Sequence, residues 1–445
     1  MPVRHPLAIA GALITTVSVV VFLALLIAAL AGLLVNPYAG LVVFVAIPAV
    51  FVVGLLLIAA GWWQERRQEK EGEAPDWPVL DFRRPQVRRN VLLFTALTSV
   101  NIIIVLVAGY GSLHWMESPS FCGQVCHTPM HPQFTAWRGA SHAGVACVEC
   151  HIGEGAGALV HAKLAGVRQL FHVATNSFPR PVPPGAQLPE GEQARTCLGC
   201  HRPAMAVGDR IRVIREYADD EESAETLTVL QMYLGAGSAS GRAIHWHADP
   251  ATRIEYVATD ETLQTIPYVR VSDAAGRTRE YRTPEATDEL LRAGTPRLMD
   301  CVDCHNTDGH PIAQTAERAV DTAIAATQIS RDLPFARRES LRLVKASYAS
   351  QDEALRAIER GLREFYRSQP GGIDRGAVDR TVAGAQGVYR RNVFPAMKVT
   401  WGSYPDRRGH VEAPGCDRCH DDSHAAGDGA TISGDCEYCH RQIER

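Results

Sequence analysis

The chain has 445 residues, with 45 Lys and Arg against 49 Asp and Glu and a formal net charge of −4. So even a balance offers no basic field for nucleic acid and excludes it as a partner class. Twelve cysteines call for a chemical use.

Leu7 to Val35 and Tyr38 to Trp63 are uncharged runs, each long enough to cross a bilayer. A signal peptide would fit Arg4 and the small residues Ala28, Ala29 and Ala31, but the apolar part is too long and a second run follows at once. Residues 1–63 are therefore expected as a two-helix transmembrane hairpin. Residues 64–90 hold Arg66, Arg67, Lys70, Arg83, Arg84, Arg88 and Arg89, the composition of a short cytoplasmic loop.

Residues 91–111 form a third uncharged stretch, with Asn101 as its one strongly polar interior residue, suited to a helix–helix hydrogen bond. Three spans with the basic loop inside put the amino terminus in the cytoplasm of a bacterial inner membrane. Everything after about Ser112 then lies in the periplasm, with His114 and Trp115 as interface anchors.

On that outer side every cysteine falls in a pair followed by histidine. The pairs are Cys122/Cys126-His127, Cys147/Cys150-His151, Cys197/Cys200-His201, Cys301/Cys304-His305, Cys416/Cys419-His420 and Cys436/Cys439-His440. Five are C-x-x-C-H and the first has one extra residue between its cysteines. This is the attachment motif of c-type haem: two thiols add to the vinyl groups and the histidine binds the iron.

Structural zinc also uses C-x-x-C pairs but does not require a histidine after each. Histidine makes up 17 of 445 residues, so six chance placements multiply to roughly 10⁻⁸ or less. Structural disulfides are the other alternative for an exported domain, and six haems leave no thiol for them.

A low-spin haem needs a second axial ligand. Ten histidines on the outer side are free for it: His114, His131, His142, His161, His172, His245, His247, His310, His410 and His424. His310 and His424 follow motif histidines by a few residues and His410 precedes a motif. These three are expected as distal ligands through neighbouring haems, with His245 or His247 serving another.

The fold class expected is mainly α. Residues 112–205 form a cluster of three motifs, with a helix from about Ala158 to Phe178 carrying Leu159, Ala162, Gly166, Leu170 and Val173 at helical spacing. Pro179 to Pro189 is a spacer. Residues 206–311 read as an insertion with the fourth motif and a small β-hairpin region, from Thr252 to Tyr256, Thr265 to Val271 and Thr278 to Arg282 around Ala274-Ala275-Gly276. Residues 312–400 read as a scaffold of three helices, and residues 401–445 as a two-haem terminal module.

Residues Glu117 to about Arg180 resemble the NapC/NirT family of membrane-anchored quinol-oxidising cytochromes. The likeness runs through Ser-Pro-x-Phe-Cys at Ser118 to Cys122, Cys-His-Thr-Pro-Met at Cys126 to Met130, Ser-His-Ala at Ser141 to Ala143, Cys-Val-Glu-Cys-His at Cys147 to His151 and Ala-Lys-Leu-Ala-Gly at Ala162 to Gly166. The three spans, His245-Trp246-His247, the fourth motif and the paired tail are similar to larger family members, over most of residues 91–445.

The resemblance implies that the haem nearest the membrane can take a methionine after its motif in place of the motif histidine, and Met130 matches. The wider Cys122/Cys126 spacing departs from the family, which leaves His127 and Met130 as alternative ligands. It further implies His142 and His172 as distal ligands and Lys163 near a quinol pocket. Gln169 stands where smaller relatives carry an acid.

The function implied is oxidation of menaquinol or ubiquinol, with electrons passed through six haems to a periplasmic redox protein or membrane complex. Two alternatives are a relay subunit without its own quinol site and a terminal reductase of nitrite, hydroxylamine or a metal. Surplus histidines argue against open substrate faces except at the first haem.

Overall fold

The computed structural model describes residues 6–30, 42–69, 82–125, 127–152, 155–183, 192–202, 207–235 and 243–444. The chain forms two compact units, Met1–His127 and Thr128–Arg445.

In the first unit, α1 (Pro6–Leu30) and α2 (Ile47–Glu69) are long and apolar enough to cross a membrane. The segment joining them and residues 70–81, with Lys70, lie outside the described residues. The two helices pack antiparallel through small side chains. A Cβ at Gly11 would stand 2.6 Å from the Gly54 carbonyl oxygen, and one at Gly61 would stand 2.6 Å from the Ala8 nitrogen.

Ala8, Thr15, Ser18 and Phe22 are buried along that seam, at the three-and-four spacing of one helix face. In lipid no hydrophobic effect drives helices together, so close backbone approach at glycine supplies the packing.

The third helix, α3 (Pro85–Met116), has 32 residues and at 1.5 Å per residue runs about 48 Å. Its described apolar stretch is Ile102–Met116; the Asn101 side chain lies outside the described residues. Ala108 on α3 packs with Phe22 and Val43. At its end Tyr110 stacks on His114, and Trp115 meets Phe121 edge-on.

The second unit begins with short helices: α4 (His127–Trp137), α5 (Cys147–His151), α6 (Ala156–Ala174) and α7 (Glu192–Leu198). The helix expected over 158–178 is thus α6, ended by Thr175 and Asn176 before the prolines begin. Its half-buried face holds Leu159, Ala162, Gly166, Leu170 and Val173.

Among the described residues seven strands make two antiparallel sheets. β1 (Asp209–Tyr217) and β2 (Glu225–Tyr233) form a hairpin. β3 (Arg253–Ala258), β4 (Tyr268–Ser272), β5 (Thr278–Arg282) and β6 (Thr295–Leu298), with α8 (Asp288–Ala293) before β6, form a second sheet in the order β5-β4-β3-β6. Its inner face carries Ile254, Tyr256, Leu263, Ile266 and Val269.

The residue-252-to-282 hairpins are therefore part of a larger β region than the sequence reading held. The tail returns to it: β7 (His440–Glu444) pairs with β2.

The scaffold has four helices where three were expected: α9 (Ala316–Ala325), α10 (Ala336–Val344), α11 (Gln351–Ser368) and α12 (Arg375–Asn392). A turn from Ala326 to Phe335 separates the short α9 and α10, with Thr327 and Phe335 in left-handed conformation. Three starts are capped by Thr315, Ser350 and Asp374, whose side chains accept from the backbone two or three residues on. Ala354, Ile358, Leu362 and Tyr366 line one face of α11 and meet Val320, Ile329, Leu333, Val388 and Tyr389 in a single core.

Candidate functional site

Each described motif folds into one helical turn. The backbone N–H of His201 donates to the Cys197 carbonyl at 2.8 Å, His305 to Cys301 at 2.8 Å and His420 to Cys416 at 3.0 Å. Such a turn brings residues i, i+3 and i+4 to one side, so both sulfurs and the imidazole face the same space.

Five motif histidines face a second histidine. Ring centres lie 6.2 Å apart for His151 and His310, 6.0 Å for His142 and His201, 6.2 Å for His245 and His305, 5.8 Å for His247 and His420, and 6.1 Å for His410 and His440. An iron bound by two ring nitrogens at about 2 Å each, with each ring centre about 1.1 Å behind its nitrogen, separates the centres by ~6.2 Å. The spacing fits a metal between each pair.

Ring nitrogens agree with that reading. Nδ1 of His142 lies 3.2 Å from the Asp308 carbonyl, Nδ1 of His245 3.0 Å from the Leu234 carbonyl, and Nδ1 of His247 2.7 Å from the Ile244 carbonyl. His305 Nδ1 meets the Asp308 carboxylate at 2.7 Å and His420 Nδ1 the Ser433 carbonyl at 2.9 Å. An Nδ1–H spent on an acceptor fixes the tautomer that leaves Nε2 to a metal.

The ring planes fall into two classes. They are nearly parallel, at 9°, 5° and 4°, for the second, fourth and sixth motifs, and nearly perpendicular, at 73° and 77°, for the third and fifth. His245 and His247 share a short 3-10 helix, Ile244–Ala248, and their rings face His305 of the fourth motif and His420 of the fifth respectively.

The motifs also follow one another in space. α5 packs on α7, and α7 on the Cys301–Asp303 turn. A hydrogen bond from Cys197 lowers the Cys301 thiol to about 7, joining the third motif to the fourth. Burial raises Cys304 to about 11 with Cys416 adding to it, and Arg418 donates to the Asp303 carbonyl at 2.8 Å, joining the fourth to the fifth. Burial also raises Cys439, again with Cys416 nearby, which joins the fifth to the sixth. Sulfurs bonded to haem are thioethers and do not titrate, so these shifts serve only to show which thiols are neighbours.

Among the described residues no group of three or more His, Cys, Asp or Glu side chains is spaced to hold a metal ion. Arg407 supplies a further fit to haem. It is 9% exposed, its Nε is buried without a hydrogen-bond partner, and Arg418 is among the charges acting on it. Its Nη2 donates to the Thr262 carbonyl at 3.1 Å and Asp303 is the acid near it, so the free Nε is the donor that would suit a haem propionate.

Other expected residues fall elsewhere. His424 is 1% exposed, its Nε2 donates to the Ile266 carbonyl at 2.6 Å and its Nδ1 faces Asp421, so it is committed to the β3–β6 sheet and leaves the ligand set. His172 lies on α6 with Nδ1 on Ser177 at 2.8 Å and, among the described residues, faces no motif histidine. His131 meets Phe394 edge-on, and His161 is exposed on α6.

Cys126 and the His127 side chain lie outside the described residues. Met130 is half-buried on α4, Lys163 half-buried on α6 and Gln169 exposed on α6. Six residues apart, Lys163 and Gln169 point about 120° from each other around the helix.

Residues 84–181 match the model of the NapC/NirT cytochrome c family, N-terminal region. Over 450 residues, 99% of the chain and 88% of the relative, the sequence is 36% identical to the cytochrome c-type protein ImcH of Geobacter sulfurreducens. No solved structure matches the chain.

Proposed function

Since this chain belongs to the NapC/NirT family of membrane-associated c-type cytochromes, we propose that it binds six haems and oxidises quinol at its first motif. The electrons go to a periplasmic redox partner. When bound, c-type haems supply reversible one-electron transfer, and every other contribution comes from the chain.

The observation that carries the reading is the set of five histidine pairs. Cys147 and Cys150, Cys197 and Cys200, Cys301 and Cys304, Cys416 and Cys419, and Cys436 and Cys439 attach the haems. His151 with His310, His201 with His142, His305 with His245, His420 with His247 and His440 with His410 supply both axial positions. Two ligands on each iron leave no coordination position for a substrate, which favours electron carriage over terminal reduction at those five. Cys122 and Cys126 attach the sixth, with His127 or Met130 as ligand.

A quinol reaches the protein from lipid, and α6 supports an approach there. Val160, Leu164, Val167 and Phe171 form an exposed apolar stripe along it, and Lys163 and Arg168 stand beside them. This is the pattern of a helix lying in a membrane interface, with cationic heads reaching the water. Lys163 is placed to donate to a quinol oxygen at that boundary, whereas Gln169 faces elsewhere on the helix. The topology proposed is α1, α2 and α3 as three spans, the basic loop of residues 64–90 in the cytoplasm and the attachment motifs outside the inner membrane.

The test is to add a reduced menaquinone analogue to the oxidised, purified protein and follow the haem absorbance bands. Quinol should reduce the haems. Full reduction by dithionite with none by quinol would overturn the quinol reading and leave the relay. A pyridine haemochrome assay should give six haems per chain.

A further inference from the structure

The segment from His305 to His310 meets three attachment sites at once. His305 is the motif ligand of the fourth site, His310 pairs with His151 of the second, and the Asp308 carbonyl accepts from His142, which pairs with His201 of the third. The Asp308 side chain adds a charge to this junction. Its Oδ2 meets His305 Nδ1 at 2.7 Å, and its Oδ1 meets Arg408 Nη1 at 2.5 Å.

Among the described residues, this is the one carboxylate at hydrogen-bond distance from a paired ring. His142, His245, His247 and His420 meet neutral carbonyl oxygens instead, and His410 stands 3.9 Å from Asp417. A carboxylate draws the Nδ1 proton toward itself and gives the ring imidazolate character. The ring then donates more strongly to the iron and favours the ferric state.

We infer that Asp308 is a redox-positioning residue, which holds the fourth haem at the lowest potential of the five bis-histidine haems while its backbone carbonyl orients the distal ligand of the third. The inference rests on the bis-histidine reading above. Asp308 touches no haem and acts through His305.

Arg408 gives the inference a sign test. It sits on the far oxygen of the same carboxylate and is anchored by Asp406 at 2.8 Å, so it neutralises part of the charge that His305 feels. Removing the carboxylate charge should raise the potential of the fourth haem, and removing the guanidinium should lower it. A purely structural role for either side chain would not move one haem in opposite directions.

The experiment is a spectroelectrochemical titration of the full-length holoprotein in detergent, beside Asp308→Asn and Arg408→Gln, with haem content checked by pyridine haemochrome. One component of the titration should move up in Asp308→Asn and the same component down in Arg408→Gln. Components that stay in place in Asp308→Asn, or that move the same way in both variants, overturn the inference.

If Asp308→Asn fails to load haem, Arg408→Gln decides alone, since only a charge effect predicts its downward shift. The electron paramagnetic resonance spectrum of the unmodified protein separates the two levels. With bis-histidine signals present and no shift in the variants, the Asp308 role fails and the ligand reading stands; without those signals the ligand reading itself fails.

Discussion

The α9–α12 scaffold and the last five attachment turns belong to the same unit, yet different forces hold them. The scaffold has an ordinary apolar core, with Val320, Ile329, Ile358 and Leu362 at 0% exposure, and capped helices. The attachment turns bury little of their own. Cys150, Cys200 and Cys436 are exposed, and the turns beginning at Cys301 and Cys436 have three residues each. Buried area stabilises the first region, whereas on the proposed reading covalent and axial bonds to haem, with hydrogen bonds to the ligand rings, would order the second. Mutations should therefore sort cleanly into spectral and stability effects.

The largest effect expected is at a ligand. His247→Ala removes the distal ring from His420 and should convert one low-spin haem to a high-spin, carbon-monoxide-binding one, read in the absorbance spectrum. An unchanged spectrum would remove His247 from the ligand set.

Next comes the ion pair that ties the β1–β2 turn to the scaffold. Arg337 reaches Asp321 at 2.7 Å and Asp219 at 2.8 Å, with Asp321 buried. Arg337→Met strands a buried carboxylate and should cost about 3–5 kcal/mol in thermal or denaturant unfolding, with haem spectra unchanged.

Burial already raises the Asp321 pKa above its ordinary value despite Arg337. Its ionisation therefore costs stability as pH rises from the unfolded pKa through the folded one. Without the guanidinium the folded pKa climbs further, so the deficit of the variant should shrink on acidification.

Leu362→Ala opens a cavity in the scaffold core and should cost about 2–5 kcal/mol, again without spectral change. A shift in the haem bands would mean that the two regions are energetically one. The smallest effect is expected at His424, where His424→Asn loses the bond to Ile266 and should cost about 1–3 kcal/mol, leaving the low-spin haem count intact.

These distinctions explain how far the sequence could be read. The six motifs were legible because thioether attachment fixes residue types at fixed local spacing. α1 and α2 were legible because bilayer thickness fixes their length.

Which histidine rings face each other was not legible, since it depends on which turns meet in space. Proximity in sequence favoured His424, four residues after His420, but tertiary packing gave its Nε2 to a carbonyl. His245 and His247 were candidates without assigned partners, and only the folded 3-10 turn divides them between two motifs. The β1–β2 hairpin had a readable signal in the β-branched and alternating residues of Asp209–Tyr217 and Glu225–Tyr233. Its third strand, β7, comes from the far end of the chain, where no local pattern could announce the pairing.

The most direct test of the ligand pairs is electron paramagnetic resonance of the oxidised, full-length protein, with spin quantitation. Parallel imidazole planes split the iron orbitals and give a rhombic low-spin spectrum; perpendicular planes leave them nearly degenerate and give a strongly anisotropic one. The account predicts five bis-imidazole low-spin haems per chain, three of the first kind and two of the second. Fewer than five such haems, or five of a single kind, would contradict it.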